Sequence, residues 1–121
     1  MSDDAGRWPL SHRGEIWTAS FGEKPVRHWV VIVSLDWRNE SKHIGSVLIV
    51  PFSSRGGDGP TTLMIEPAES GLPRSSWVKG HFVNTIRKTQ LIERHTHALS
   101  EKRMLEICML IRCSYDPDAL L

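Results

Sequence analysis

Arginine, histidine and serine flank two short apolar segments, and these residue types suit phosphate chemistry. Arg27 and His28 precede the apolar run at residues 29–34, and Ser53 and Ser54 close the run at residues 46–54. A guanidinium neutralises a phosphate, an imidazole carries a proton near neutral pH, and hydroxyls hold phosphate oxygens. RNA supplies its own nucleophile, the 2′-hydroxyl. The four side chains therefore suit phosphodiester chemistry without a metal, and such a site could cleave RNA but not DNA.

Motifs of other hydrolases and of cofactor enzymes are missing from the sequence. There is no nucleophile elbow, no His-Glu-x-x-His, no Cys-x-x-Cys, no phosphate loop and no Gly-x-Gly-x-x-Gly. The spacing of Cys108 and Cys113 suits neither a zinc pair nor a disulfide. His95 and His97 share a face only in an extended chain and have no third ligand nearby. We therefore expect neither a metal nor a cofactor.

Short strands and one helix are predicted to position these side chains. The two apolar runs are rich in Val and Ile, as strands buried on both faces are, and should form the central pair of a sheet. Ser100 is a suitable N-cap for a helix near residues 100–113. Further strands are predicted at residues 15–21, at 61–66, and in two short pieces, 77–78 and 82–83, separated at Gly80.

The predicted fold is mainly β with a C-terminal α-helix. Five or six short strands with Gly and Pro turns indicate a small, strongly curved sheet or barrel. Residues 1–12 resemble a flexible N-terminal arm, and residues 13–121 are expected to form a single domain. The apolar residues of the helix cover more than one stripe. It should therefore pack against the sheet, against a second copy of the chain, or against both.

Composition predicts a cytoplasmic protein with one basic region. The chain has 121 residues, 40% hydrophobic and 24% charged, with a formal net charge of +1. No apolar run is long enough to span a bilayer, and the Met-Ser-Asp-Asp start is unlike a secretory signal. Residues 74–103 contain seven Lys or Arg against two Glu. This region is either a phosphate-binding face or an ordinary solvated surface.

Four segments together resemble the MazF/PemK family of toxins. They are Arg-Gly-Glu-Ile-Trp at residues 13–17, Arg-His-Trp-Val-Val-Ile-Val-Ser at 27–34, Leu-Ile-Val-Pro-Phe-Ser-Ser at 48–54, and Ser-Trp-Val-Lys-Gly-His-Phe-Val-Asn-Thr-Ile at 76–86. The resemblance implies a dimeric, SH3-like barrel, similar to MazF, PemK and CcdB. It also implies a growth-inhibiting endoribonuclease that cuts single-stranded mRNA without metal, leaves a 2′,3′-cyclic phosphate, and is blocked by a cognate antitoxin.

The resemblance also assigns candidate site residues. In the family the catalytic Arg is usually followed by a Pro. If Trp29 takes the place of that Pro, His28 falls on the Arg position. A one-residue shift of the alignment places Arg27 there instead. We favour Arg27 as phosphate clamp and His28 as proton carrier. The second catalytic residue, a Thr or Ser, falls on Ser53. Asn84 replaces a family Arg. The predicted substrate contacts are Ser54, Lys79, His81, Asn84, Arg87 and Lys88.

Two functions follow from the sequence. The first is the toxin component of a toxin-antitoxin module, with single-stranded RNA, an antitoxin and a second copy of the chain as partners. The second is a catalytically weak or inactive module on the same fold that binds RNA or protein. The replacement at Asn84 motivates the second function. Trp37, if exposed, is an additional candidate for stacking on an unpaired base, whereas Trp77 is expected in the core or at a dimer interface.

Overall fold

A curved antiparallel sheet and a C-terminal helix make up most of the structure, a computed structural model that describes residues 8–23 and 26–120. Within these residues there are seven strands and three α-helices. The strands are β1 Glu15–Phe21, β2 Val26–Ile32, β3 Ser46–Ser53, β4 Thr62–Ile65, β5 Ser76–Lys79, β6 Asn84–Arg87 and β7 Leu91–Ala98. The helices are α1 Asp36–Asn39, α2 Pro67–Ser70 and α3 Glu101–Cys113.

The two apolar runs form the centre of the sheet, as predicted. Strand order is β4-β5-β3-β2-β1-β7, and β6 pairs with β3 beside β5. The long strand β3 thus has β2 along one edge, with β6 and then β5 along the other. Among the described residues β4 and β7 are not paired with each other, so the sheet is strongly curved but not closed. The mainly β fold with a terminal helix is confirmed.

Apolar side chains fill both faces of the central strands. Val31 and Val50 belong to one cluster, together with buried residues of α3, whereas Val30 and Ile49 belong to a second cluster inside the curved sheet. Successive residues of a strand point to opposite faces, so a strand covered on both sides needs a continuous apolar run. This double burial explains why β2 and β3 were recognisable in the sequence.

Helix α3 begins and packs as its sequence predicts. The Ser100 hydroxyl accepts a hydrogen bond from the Arg103 amide, which caps the first turn. Met104, Ile107 and Leu110 are buried against the sheet. Leu105 is 60% exposed and Met109 45% exposed on another side of the helix. The helix therefore has one apolar face in the core and apolar side chains left at the surface.

A close approach of the backbone at Gly80 brings α3 onto the sheet. Gly80 opens the 3₁₀ turn Gly80–Phe82 after β5. A Cβ at this position would lie closer than 3.0 Å to the Leu110 carbonyl and to the Ile111 nitrogen. These are backbone atoms of a packed helix, so no side-chain rotation could relieve the overlap.

We therefore expect Gly80→Ala to lower the free energy of unfolding by about 3 kcal/mol, measured by urea denaturation. Gly57→Ala is the matched control, because a Cβ there meets nothing within 4 Å. It should change stability by less than about 0.5 kcal/mol. Equal stabilities of the two variants would contradict the close packing of α3 on Gly80.

The Arg-Gly-Glu-Ile-Trp segment has a structural role around Glu15. The Glu15 carboxylate accepts hydrogen bonds from the His12 amide at 2.7 Å, Arg94 Nη1 at 3.1 Å and Trp17 Nε1 at 3.2 Å. Burial raises the pKa of the carboxyl, but the three hydrogen bonds outweigh burial and hold the pKa below its ordinary value. The ionised carboxylate thus joins the N-terminal segment, β1 and β7.

A group whose pKa is lowered by folding stabilises the fold above its ordinary pKa, and this contribution is lost as the pH falls through the lowered value. We expect Glu15→Gln to be less stable than the natural chain by about 2 kcal/mol at pH 7. This difference in the free energy of unfolding should narrow below about pH 4. Denaturation at pH 7, 5 and 3 measures the difference. A difference that stays constant over this pH range would mean that the charge of Glu15 is unimportant.

Three local features differ from the sequence prediction. Strand β7 was not predicted, because only Leu91 is buried in it and its charged and His residues hide any alternation. Phe82 and Val83 were predicted as strand, but Phe82 ends the 3₁₀ turn and the next strand begins at Asn84. Strand β2 begins at Val26, three residues earlier than the apolar run.

The described part of the N-terminal arm is packed rather than loose. Ser11 is buried, and the Trp8 ring lies 5.1 Å from the Lys88 ammonium. A Cβ at Gly45 would lie 3.2 Å from the Trp8 ring, so the absence of a side chain there makes room for the indole. The aromatic side chain thus holds residues 8–12 against the sheet. Residues 1–7, the rest of the predicted arm, lie outside the described residues.

Candidate functional site

A cleft with a volume of about 530 Å³ opens on the described surface beside the start of β2 and the end of β3. Arg27, His28, Ser53 and Ser54 all line it. The loop after α2 contributes further lining residues, including Arg74. The structure therefore brings together, in one open cleft, side chains that lie about 26 residues apart in the sequence.

Antiparallel pairing of β2 and β3 is the reason for this convergence. The start of β2 must lie beside the end of β3, which places Arg27 and His28 next to Ser53. The two strands are paired from Ile32↔Ile49 to Val30↔Pro51. At its end β3 is still paired along its other edge with β5, at Ser53↔Trp77. The cleft opens where β2 and β3 are no longer paired with each other.

Arg27 and His28 both line the cleft but differ in their surroundings. Arg27 is exposed, and its guanidinium makes no hydrogen bond or ion pair with the residues that the structure describes. His28 is half-buried, with its ring centroid 4.6 Å from that of Phe21. Strand alternation places Arg27 on the face of Trp29 and His28 on the face of Val30. An uncommitted guanidinium is the better candidate for binding an anion.

Ser53 has a hydrogen-bonding role of its own in the turn after β3. Its hydroxyl donates to the Arg55 carbonyl at 2.9 Å and accepts from the Arg55 amide at 3.2 Å. Ser commonly makes such bonds at the start of a turn. Ser54 is exposed, and its hydroxyl makes no hydrogen bond within the described chain. Ser53 would have to rotate to donate to a substrate, whereas Ser54 is free to do so.

Four of the other predicted contacts lie outside the cleft. The Lys79 ammonium lies 5.4 Å from the Phe82 ring, and His81 Nδ1 is 3.0 Å from the Thr61 hydroxyl. Asn84 and Arg87 are exposed on β6 and pair with Ile49 and Ser46. They thus lie beside the first half of β3, away from Ser53. They could contact only a ligand that extends beyond the cleft.

Lys88 is a structural residue rather than a surface cation. It is 1% exposed, and its ammonium donates to the Arg38 and Ser41 carbonyls at 2.8 Å each. Burial, with the nearby charge of Arg38, lowers its pKa. A substrate phosphate has no access to this ammonium in the structure. Lys88 is therefore unsuited to contact a substrate. The sequence did not indicate this, because the carbonyls that surround the ammonium come from α1 and the loop after it.

Arg74 and Trp29 are among the cleft residues that were not singled out from the sequence. Arg74 is exposed on the loop between α2 and β5, and the only signal for it was its place at the start of the basic region. Trp29 is 37% exposed although it belongs to an apolar run.

The two Trp residues considered in the sequence have different surroundings. Trp37 is 63% exposed, with the Arg38 guanidinium 5.5 Å from its ring, whereas Trp77 is half-buried. Neither lines the cleft.

The side chains that line the cleft give it a net positive charge. Arg27 and Arg74 supply two guanidinium groups, and its lining contains no carboxylate. Across the described residues, no three His, Cys, Asp or Glu side chains come together as a metal site would require. None of the described helices is long and apolar enough to cross a membrane. Guanidinium groups, hydroxyls and an imidazole suit an anionic, phosphate-bearing ligand.

Known folds match this architecture. An endoribonuclease in complex with its cognate antitoxin, from Mycobacterial species, superposes with a TM-score of 0.71 at 20% identity, over 86% of this chain and 93% of that one. Mycobacterium tuberculosis toxin MazF-mt6 gives 0.72 at 19% identity, over 84% and 96%. MazE-MazF from Deinococcus radiodurans gives 0.69 at 14% identity, over 87% and 95%. At these identities the likeness concerns the fold.

The family assignment rests on the sequence model rather than on the superpositions. No curated protein matches the chain. The family model that describes the PemK-like, MazF-like toxins of type II toxin-antitoxin systems matches residues 12–114, which include every strand and all of α3. The chain therefore belongs to the PemK-like, MazF-like toxin family of type II toxin-antitoxin systems.

Proposed function

We propose that the chain is an endoribonuclease that cleaves single-stranded mRNA through attack of a 2′-hydroxyl on the adjacent phosphate. One observation carries the proposal: Arg27, His28, Ser53 and Ser54 line a single open cleft that contains no carboxylate. A phosphate would enter such a cleft without charge repulsion. The known members of the fold include endoribonucleases, which supports the same chemistry.

The proposed reaction divides three tasks among these side chains. The guanidinium of Arg27 holds the phosphate and stabilises charge that develops on its oxygens. The imidazole of His28 accepts the proton of the attacking 2′-hydroxyl. A hydroxyl of Ser53 or Ser54 donates to a phosphate oxygen. The 2′ oxygen bonds to phosphorus, and the bond from phosphorus to the 5′ oxygen breaks, which gives a 2′,3′-cyclic phosphate and a 5′-hydroxyl. The leaving 5′ oxygen takes a proton from water, and the hydroxide that forms removes the proton held by His28.

Purified protein incubated with single-stranded RNA in EDTA tests this function. We expect cleavage of the RNA, cyclic phosphate ends by mass spectrometry, and no cleavage of DNA of the same sequence, because DNA lacks the 2′-hydroxyl. Double-stranded RNA should be cut more slowly, since pairing fixes the backbone away from in-line attack. Cleavage that requires an added divalent cation, or that extends to DNA, would refute the proposed chemistry.

The proposed protein partners are an antitoxin and a second copy of the chain. One solved relative is an endoribonuclease in complex with its cognate antitoxin, and another is a MazE-MazF structure, so we infer a cognate antitoxin here. A toxin of this kind, acting on mRNA, would act in the cytoplasm. Leu105 and Met109 leave apolar surface on α3, which supports contact with a second copy.

We expect a homodimer at micromolar concentration, measured by sedimentation velocity. Leu105→Glu should shift the chain toward monomer, because a charge at a buried apolar contact lacks a partner. Lys42→Glu, a charge change at an exposed position outside the helix, should leave the dimer intact. A monomeric natural chain under these conditions would contradict the inferred dimer.

One observation favours the second function, a module that binds without catalysis. The Ser53 hydroxyl is already engaged with Arg55 in its own turn. Induced expression of the natural chain and of Arg27→Ala in bacteria separates the two functions. Growth arrest only by the natural chain supports the enzyme, whereas equal arrest by both, with no RNA cleavage, would support a binding module.

A further inference from the structure

A second, smaller cavity adjoins the cleft, and Trp29 forms a wall of both. This cavity, the β7 pocket, has a volume of about 160 Å³ and is lined by Trp29, Glu93, Arg94, His95 and Thr96. It is smaller than the roughly 300–1,000 Å³ typical of pockets for drug-sized ligands. Because Trp29 also lines the cleft, a chain-like ligand bound there would reach the β7 pocket across the indole.

The aromatic wall of the β7 pocket is exposed but held in place. Trp29 is 37% exposed, and its ring centroid lies 5.2 Å from that of His95 with the rings at 83°. This edge-to-face contact fixes the indole against β7 and leaves part of its surface open. A flat ring can therefore stack on Trp29 at little cost in side-chain entropy.

The polar groups of the β7 pocket have mixed hydrogen-bonding character. Glu93 and Thr96 are exposed and offer acceptor oxygens. The Arg94 guanidinium offers donors, and its orientation is fixed by the bond from Nη1 to Glu15. A carboxylate would repel a phosphate but would accept the amino or imino hydrogens of a nucleobase. The pocket thus suits a base, whereas the cleft suits a phosphate.

We propose that the β7 pocket binds one base of the RNA, next to the phosphate held in the cleft, and contributes to the sequence preference of cleavage. The inference rests on the proposed function. Trp29 stacks on the base, and Glu93 accepts a hydrogen bond from the edge of the base. Trp29 is thus a binding residue for the substrate and Glu93 a specificity-determining one.

Binding of an uncleavable RNA isolates the stacking contact from catalysis. A fluorescent single-stranded RNA with 2′-O-methyl groups, measured by anisotropy, should bind Trp29→Ala about 10-fold more weakly than the natural chain. Trp29→Phe should recover most of that loss, because it keeps an aromatic face. Tyr115→Ala is the matched control, since Tyr115 is an exposed aromatic residue that lines neither cavity. Circular dichroism verifies that each variant is folded.

Cleavage of a random-sequence RNA pool tests the role of Glu93. Sequencing of the cut ends should show that Glu93→Gln alters the base preference at one position beside the cut, because an amide donates as well as accepts. Asp58→Asn, an exposed acidic site outside both cavities, should leave the preference unchanged.

Two results would overturn the inference in different ways. If Trp29→Ala binds normally and Glu93→Gln keeps the natural base preference, the β7 pocket does not hold a base and is left to another ligand, such as a side chain of a protein partner. The proposed endoribonuclease function would then still stand. If the natural chain neither binds nor cuts the RNA pool, the proposed function fails together with the inference.

Discussion

Arg27→Ala should cleave single-stranded RNA about 100-fold or more slowly than the natural chain, because a charged donor that stabilises developing charge is worth that much in comparable sites. Arg27 is exposed and makes no hydrogen bond or ion pair with the described residues, so its loss should leave stability almost unchanged. Single-turnover cleavage rates and thermal denaturation measure the two effects separately.

Matched variants distinguish a specific clamp from general attraction. Arg27→Lys keeps the charge but loses the planar fork, and should recover only part of the rate. Arg74→Ala, a change in the loop that also lines the cleft, should weaken RNA binding more than it slows the chemical step. Lys42→Ala, an exposed cation outside the cleft, should have no effect. Full activity in Arg27→Ala would remove Arg27 from the proposed mechanism.

The same assay decides between the two sequence registers. If His28 occupies the position of the family Arg, His28→Ala should be the more damaging change and Arg27→Ala the milder one. If His28 carries a proton instead, His28→Ala should slow cleavage and remove one limb of the pH-rate profile. We expect the latter, because Arg27 is a cleft cation at the start of β2 whose guanidinium has no partner among the described residues.

Ser53→Ala should slow cleavage by about 10- to 100-fold, the usual range for the loss of one hydrogen bond to a developing charge. It should also lower the free energy of unfolding by about 1 kcal/mol, because the hydroxyl makes two hydrogen bonds to Arg55 in the turn. Cleavage rates and urea denaturation measure both effects.

Ser53→Thr and Ser54→Ala complete this test. Threonine keeps the hydroxyl and should retain most of both activity and stability. Ser54→Ala should leave stability unchanged, since the Ser54 hydroxyl makes no bond within the described chain. If Ser54→Ala loses the activity while Ser53→Ala loses only stability, the substrate donor is Ser54 and Ser53 is structural.

Several elements were predictable because their signals are local. The β2 and β3 runs are continuous and apolar since both faces of the central strands are buried. The start of α3 was predictable because a helix needs an N-cap within one turn, and Ser100 provides it. The position of the cleft also followed from the sequence, once the two runs were recognised as neighbouring strands.

Other features depended on contacts between distant parts of the chain. Strand β7 lies at the end of the sheet order and buries only Leu91, so its sequence carries no strand periodicity. Lys88 is buried because carbonyls about 50 residues earlier surround its ammonium. The turn bonds of Ser53 depend on the path of the chain after β3. The type of a residue does not specify which distant parts of the chain will surround it.

The sequence by itself determined the family, the central strands, the terminal helix and the residue types that could bind a phosphate. Only the tertiary structure decided that Arg74 and Trp29 join the cleft and that Lys88 does not. The physical reason is that burial and hydrogen bonding are properties of a place in the fold, whereas a sequence specifies local patterns and chemical groups. Antiparallel pairing turned two separate segments, around Arg27 and Ser53, into one site.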